Sequence, residues 1–537
     1  MRVGEGLPDG SELVAGPTLQ QPAENPGTRA AAHRWRAAAA WTAVGLVLFV
    51  FYLRISLGAR VDSDGANSAL QAWDLVHGHL LLHGWIFGDA TFYTFELPLN
   101  GIVELVFGLG LTAVHVSSAL VYLIVTICVL ALALTGSHGP ARLVRGAIVI
   151  TVLAVPLLFA PTTWVLLEEP DHIGTMMFLL VSFLLIDRVP DRRFTAPLVG
   201  LILCAGQLSD STVRYVAVPA VVLVCGYRAL AGRKLRCGDT ALVVAALVSV
   251  PVEWAIQTAI PHLGGFMEVP PRTQLSPVRE WPHHVRVTWF NIRIMFGASG
   301  EPRYVLPVAF AAFGTICLLA AIVGLVRVAA IWPRASRAEQ LLVVAIVVNL
   351  GTYVISVMPN TTGSREIVAV VPFGAVLAAR ALVPARITAM PRAVAAVVVA
   401  GLIALLPLAT AAARTPVKLP TTPLAGWLEA HGFKYGIAGY WDASIIALQT
   451  SNRVQIRSVN LQSKLEVAAW ETSSLWYEPS RYDATFVVAD TAKGRYPVAH
   501  FEKFLGKPTA SYRVANWFVL VYPTNLLREI SPAPPTP

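Results

Sequence analysis

Apolar stretches recur through this chain as far as residue 413, most of them about 20 residues long and so long enough to cross roughly 30 Å of hydrocarbon, with 173–187 and 195–209 shorter. They fall at 38–57, 114–134, 147–166, 173–187, 195–209, 214–230, 239–258, 304–326, 339–358, 366–383 and 394–413, about eleven spans in all. Lipid offers no water to satisfy backbone amides, so runs of this kind must be helical. Composition agrees: 55% of the 537 residues are hydrophobic and 14% are charged, with a mean hydropathy of +0.61. A soluble domain carries charge on about a quarter of its residues. The expected fold class is therefore mainly α, a polytopic transmembrane helical bundle.

Lys and Arg placement orients the bundle. Arg29, Arg34, Arg36, Arg142, Arg145, Arg188, Arg192, Arg193, Arg233, Lys234, Arg236, Arg334, Arg337, Arg386 and Arg392 gather at one set of span ends, which the positive-inside bias assigns to the cytoplasm. The opposite loops hold Asp62, Asp64, Asp74, Asp89, Glu96, Glu168, Glu169 and Asp171. The net charge of +9 is read as an insertion signal rather than a nucleic-acid footprint. Three domains are expected: a disordered cytoplasmic N-terminus (1–36), a transmembrane domain (37–413) and a small extracytoplasmic α/β domain (414–537). The first span is expected to be retained, in a multi-pass plasma-membrane protein with a cytoplasmic N-terminus. The five cysteines make no metal motif, and none lies in an outward segment.

Two outward segments are long. The first, 58–113, carries an amphipathic helix expected at 66–82 and an apolar piece at 97–113. The second, 259–303, carries the amphipathic stretch Trp281–Met295, in a segment that interleaves Trp and Phe with Arg. Beyond 414, helices are expected at Leu424–His431, Ala443–Thr450 and Val498–Leu505. Strands are expected at Tyr435–Tyr440, Val454–Val459, Thr485–Ala489 and Trp517–Val521.

Three constellations suit chemistry. Asp62-Ser63-Asp64-Gly65 precedes the first loop helix; one Asp can cap that helix, and a carboxylate held there can also act as a base. Asp64 adjoins the flexible Gly65 and is read as the general base, with Asp62 as its positioning or metal-binding neighbour. Glu168-Glu169-Pro170-Asp171-His172 is a dense acidic junction that could bind a divalent cation or hold acceptor hydroxyls. Arg214 and Arg365 open spans on the outer side, against the insertion bias, where guanidinium groups snorkel or grip a lipid phosphate. His77, His79 and His83 lack metal-site spacing and suit interfacial packing. Tyr440 and Trp441, at a strand-to-helix turn, suit core packing or stacking on a sugar.

The pattern resembles the GT-C fold of membrane glycosyltransferases, a group that includes protein O-mannosyltransferases and lipid A aminoarabinose transferases. Asp62-Ser63-Asp64 ahead of Ala66–His79 is similar to that group's first-loop motif, though the group commonly has Asp-Glu there. Glu168–His172 is similar to its second acidic motif, Arg214-Tyr215 to its basic residue opening a middle span, and Arg365 with Pro372 to its late motif. The resemblance implies inverting transfer of a sugar from a polyprenyl-phosphate carrier to a glycan, lipid or protein acceptor at the outer membrane face. In that scheme Arg214 and Arg365 bind the donor phosphate, and Glu169 and Asp171 face the same cavity as Asp64. No Gly-rich phosphate loop is present, which is consistent with a lipid-linked donor replacing a nucleotide sugar. Two other readings fit a polytopic chain: a transporter or flippase of a lipid-linked or polar solute, for which Glu253 is the clearest buried charge, and a glycan-binding scaffold.

Overall fold

The computed structural model describes residues 26–158, 160–167, 171–231, 237–270, 274–299, 305–360, 363–386, 395, 399, 401, 409–461, 463–491 and 496–532. The chain divides into two compact units, Met1–Leu48 and Phe49–Pro537. In chain order the main elements are α1 (Pro26–Ser56), α2 (Ser63–Val76), β1 (Trp85–Phe87), α3 (Glu96–Phe107), α4 (Leu111–Ala133), α5 (Pro140–Ala154), α6 (Ala160–Leu167), α7 (His172–Arg188), α8 (Thr195–Ser209), α9 (Thr212–Ala231) and α10 (Cys237–His262). There follow β2 (Met267–Glu268), α11 (Trp281–Met295), α12 (Val305–Ala330), α13 (Arg337–Ile355) and α14 (Val370–Leu382). The C-terminal part adds α15 (Thr422–Ala430), β3 (Tyr435–Gly439), α16 (Tyr440–Gln449), β4 (Gln455–Leu461), β5 (Leu465–Val467), β6 (Thr472–Ser473), β7 (Phe486–Asp490), α17 (Val498–Leu505), β8 (Ala510–Val514) and β9 (Trp517–Val521).

Among the described residues, seven helical stretches are long and apolar enough to cross a membrane: Ala38–Ser56, Leu111–Ala133, Pro140–Leu158, Thr212–Ala231, Gly238–His262, Phe310–Ala330 and Arg337–Ile355. The expected spans 173–187, 195–209 and 366–383 are the shorter helices α7, α8 and α14. Most of the expected span 394–413 lies outside the described residues, as do Arg233, Lys234, Arg236 and Arg392. Two expectations are corrected. Helix α1 already begins at Pro26, so 26–36 is helical where disorder was expected; Pro suits a first helical position, and Ala-rich runs on both sides of His33-Arg34-Trp35-Arg36 favour helix. The expected span 147–166 is a helix from Pro140 that tightens into a 3₁₀ turn at Val155–Leu158, followed by the separate α6.

Arg145 explains why hydropathy misplaced that helix. A charge inside the apolar run marks a boundary by composition, yet Arg145 is buried and caps the ends of two other helices. Its Nη2 and Nε donate to the Val383 carbonyl at 2.8 and 3.1 Å, and its Nη1 donates to the Ala133 carbonyl at 3.1 Å. Ala133 closes α4 and Val383 caps α14, so one guanidinium satisfies carbonyls that a helix C-terminus leaves without partners. Further ion pairs join helix ends nearby: Arg337 to Asp239, with both contacts at 3.1 Å, and Arg380 to Asp187 at 3.3 Å and to Glu339 at 3.4 Å.

Beyond the bundle, two sheets organise the chain. The larger has strand order β5-β4-β3-β7-β9-β8, with β4, β3 and β7 parallel and the outer strands antiparallel. The smaller has order β2-β1-β6. In it β1, from the first long loop, pairs in parallel with β2 (Ile86 with Met267) and antiparallel with β6 (Ile86 with Thr472). Three segments far apart in sequence therefore meet on one short strand.

Helix α2 is wedged between α3 and α16. Its buried face (Ala66, Ala69, Leu70, Ala72 and Leu75) belongs to one apolar cluster with Phe87, Phe266, Leu424, Ile446 and Phe486. The C-terminal part thus shares its core with the first loop. Each large apolar side chain buried there contributes about 1.5–3 kcal/mol, so separating the two would expose a costly face. The helix starts at Asp62, whose Oδ1 accepts from the Asp64 amide at 2.8 Å and the Gly65 amide at 3.4 Å, the N-cap geometry.

Two outcomes test these contacts. Asp62→Ala should lower stability by about 1 kcal/mol in thermal unfolding of the detergent-solubilised protein, whereas Asp62→Ser should retain it, because a hydroxyl also caps. Arg145→Leu should cost about 1–3 kcal/mol by leaving buried carbonyls without donors. An unchanged melting temperature in Arg145→Leu would show that those carbonyls find other partners.

Candidate active site

Asp64 stands in the first turn of α2, directly behind its cap. Its Oδ1 accepts a hydrogen bond from the Tyr440 hydroxyl at 2.5 Å, and its Oδ2 lies 4.0 Å from Arg365 Nη1. Tyr440 is delivered by the sharp turn from β3 into α16, and its carbonyl accepts from Ser63 Oγ at 2.8 Å. Asn67 Nδ2 donates to the Tyr440 hydroxyl at 3.3 Å and is itself held by Ser444, whose Oγ donates to Asn67 Oδ1 at 2.5 Å. One turn of α2 is thereby buttoned to the start of α16.

The same hydroxyl lies 3.1 Å from Glu471 Oε2. A phenol has one proton and cannot donate to two carboxylates at once. Burial, then the charge of Asp64, raises the Glu471 carboxyl well above the usual range, and burial with both neighbouring carboxylates likewise keeps the Tyr440 phenol protonated. Asp64 is pushed only up to about 6, by burial and by Asp62, while the Tyr440 hydroxyl and Arg365 hold it down. Of the two, Glu471 holds its proton the more tightly and Asp64 is the one that ionises first. The hydroxyl and the guanidinium are what oppose the effect of burial on Asp64.

Arg365 sits in a 3₁₀ turn, Gly363–Ile367, just ahead of α14. Its guanidinium packs 4.7 Å from the Trp164 ring centroid, and its Nε lies 3.9 Å from Asp171 Oδ2. Asp171 caps α7 by accepting from the His172 amide at 2.7 Å. The His172 ring bridges two more acids, with Nδ1 2.6 Å from Asp210 Oδ2 and Nε2 3.4 Å from Glu366 Oε2. Thr175 Oγ1 and the Thr212 amide complete the partners of Asp210, at 2.9 and 2.8 Å.

Asp64, Asp171, His172 and Arg365 line one cavity of about 50 Å³ together with Asp89, Trp164, Trp470 and Glu471. Two larger spaces adjoin it. One, of about 210 Å³, shares Asp89 and His172 and is walled by Tyr215, Val216, Leu275, Tyr353, Ile355 and Met358. The other, of about 570 Å³, shares Asp64, Arg365 and Trp470. Phe92 and Glu471, both in the small cavity's wall, have positive φ (50° and 44°), a strained backbone for side-chain-bearing residues of the kind that gathers at functional sites.

Arg214 is placed differently from Arg365. Its guanidinium pairs with Glu253, and it is not among the residues lining these three cavities. Its chain neighbour Tyr215 does line the apolar one. Glu168 and Glu169 lie outside the described residues. His77 Nδ1 and His83 Nδ1 meet backbone carbonyls of Trp73 and Gly264, at 2.7 and 2.6 Å. Among the described residues no group of three or more His, Cys, Asp or Glu side chains is arranged to hold a metal ion. Sequence reasoning read Tyr440 for core packing or stacking and missed its bond to Asp64; it placed Asp89 only among the outward-loop acids, and it missed Glu471 entirely. Nothing local marks Glu471, since strand pairing across nearly 400 residues brings it in.

No protein-family profile and no curated protein matches this sequence. Solved structures do. ArnT from Cupriavidus metallidurans bound to undecaprenyl phosphate aligns over 90% of this chain and 97% of its own, at 14% identity and a TM-score of 0.52. The apo state of the same protein aligns over 93% of this chain and 100% of its own, at 13% identity and a TM-score of 0.54. End-to-end agreement at so low an identity reports the fold, C-terminal part included: this chain has the GT-C fold, an ArnT-like helical membrane bundle with a strand-containing C-terminal domain.

Proposed function

We propose that this protein is a multi-pass plasma-membrane glycosyltransferase that moves a sugar from a polyprenyl-phosphate carrier to an acceptor hydroxyl at the outer membrane face, with inversion. The observation that carries the reading is the opposition of Asp64 and Arg365 across one small cavity, between an apolar space and an open cleft. A lipid-linked donor needs an apolar wall for its tail, a cation for its phosphate and a base for the incoming hydroxyl. The fold's likeness to a protein bound to undecaprenyl phosphate supports the same donor class.

The chemistry follows from the two groups. The acceptor oxygen attacks the anomeric carbon, its proton passes to Asp64, and the bond from that carbon to the phosphate oxygen breaks with its electron pair leaving on the polyprenyl phosphate. Arg365 faces the charge developing on that phosphate with planar paired donors. A base with a pKa of about 6 is ionised at neutral pH yet still basic enough to take the proton as the bond forms. Asp171 and His172 belong to this reading as groups that fix Arg365 and the cavity wall. Asp62 contributes by capping, and Arg214 by neutralising Glu253 behind Tyr215. That pairing also gives a partner to Glu253, the buried charge on which a transporter reading would rest.

Three measurements test this. Asp64→Asn should lower transfer by about a hundred- to ten-thousandfold without changing the melting temperature, since the change is nearly isosteric. The pH profile of kcat/KM should fall on the acid side with an apparent pKa of about 6, because protonation removes the base. Tyr440→Phe should move that limb to higher pH, since the hydroxyl's hydrogen bond holds Asp64 down. Arg365→Ala should weaken donor binding by about ten- to a hundredfold, and Arg365→Lys by less, because an ammonium keeps the charge without the paired donors. Donor affinity unchanged in Arg365→Ala would exclude it as the phosphate ligand.

A further inference from the structure

The open cleft has a composition that the transfer chemistry alone does not require. From Asp64 and Arg365 it runs outward between Tyr440, Trp441, Trp470, Tyr496 and Asn460, all of them from the C-terminal part. At about 570 Å³ it is the size of an ordinary small-ligand site. Two glycines shape its aromatic walls. A Cβ at Gly439 would lie 2.3 Å from the Tyr496 ring, and one at Gly88 would lie 2.9 Å from the Trp470 ring, so both rings lean on bare backbone. Trp441 remains 48% exposed, touching Tyr440 edge-on, an uncommon position for a large ring with no core to join.

Flat aromatic faces interleaved with an amide and a carboxylate match a ligand that is apolar on its ring faces and polar around its edge. That ligand is a sugar. A peptide acceptor read through its backbone would need a free strand edge, but Asn460 lies in β4, which is paired on both sides by β3 and β5. Building on the reading of Asp64 as the base, we infer that the acceptor is a carbohydrate, held as a glycan in the cleft walled by Trp441, Trp470 and Tyr496 with one hydroxyl presented to Asp64. The C-terminal part is then the acceptor-binding half of the site, and Asn460 bonds a ring substituent.

The full-length protein in detergent, titrated with neutral trisaccharides of glucose, mannose, galactose and arabinose, provides the test, followed by tryptophan fluorescence and calorimetry. At least one trisaccharide should bind saturably, and Trp441→Ala and Asn460→Ala should each weaken it about tenfold while leaving polyprenyl-phosphate affinity unchanged. The same titration on Asp64→Asn should still show binding. If Asp64→Asn remained active, the proposed chemistry would fail while the cleft assignment stood on its own binding data. Three results overturn the inference: no saturable binding by any trisaccharide, binding that Trp441→Ala leaves intact, or tighter binding of a Ser/Thr-containing peptide.

Discussion

The site depends on one short strand. Trp85, Ile86 and Phe87 are almost fully buried, and β1 hydrogen-bonds to the second long loop on one edge and to the C-terminal part on the other. Three residues of pairing are weak alone, so the arrangement holds because Trp85 and Phe87 also enter the cluster that buries α2, α15 and α16. Trp85 Nε1 donates to Asp74 Oδ2 at 2.9 Å, which fixes the far end of α2 to the same strand. Asp64 at one end of α2 and Glu471 beside β6 are thereby brought onto one phenol.

The electrostatics follow from that convergence. Four carboxylates, Asp64, Asp89, Asp171 and Glu471, crowd a small cavity in which full ionisation would be strongly unfavourable. The conflict is divided unequally: burial raises the Glu471 carboxyl well above the usual range, Asp171 caps a helix and faces Arg365, and Asp64 is held at about 6. Unequal environments for like groups are how one site supplies both a base and neutral hydrogen-bonding acids. Arg365 is stacked on Trp164 and shared between two carboxylates, a planar cation whose orientation is fixed by its neighbours.

The two larger spaces beside the small cavity differ in character. The inner space is walled by α9, by α13 and by residues after α13, and it is mostly apolar. The other cleft is aromatic and polar and is lined mostly by residues of the C-terminal part. Between them stand Asp89, His172, Asp64 and Arg365, so the charged groups occur where the two environments meet. A charge deeper in the bundle would carry a larger desolvation cost, and one farther out would be screened by water.

Much of this was determined by sequence alone, because the signals are local. Hydropathy located the helices, and period and turn chemistry located α11, α17 and β9 to the residue. The acidic turn before α2 marked Asp64, since a cap and a following carboxylate are separated by two positions in any chain. Other features were decided only in three dimensions. Arg145 reads as a helix boundary until the carbonyls of α4 and α14 are seen to need it. Arg214 and Arg365 look equivalent in sequence, yet one meets Glu253 and the other meets Asp64, a difference set by which helices neighbour them. Glu471 and the role of Tyr440 have no local signature at all. Strand pairing and burial across the length of the chain create their chemistry, and a pairwise contact of that range is a property of the fold and not of any segment.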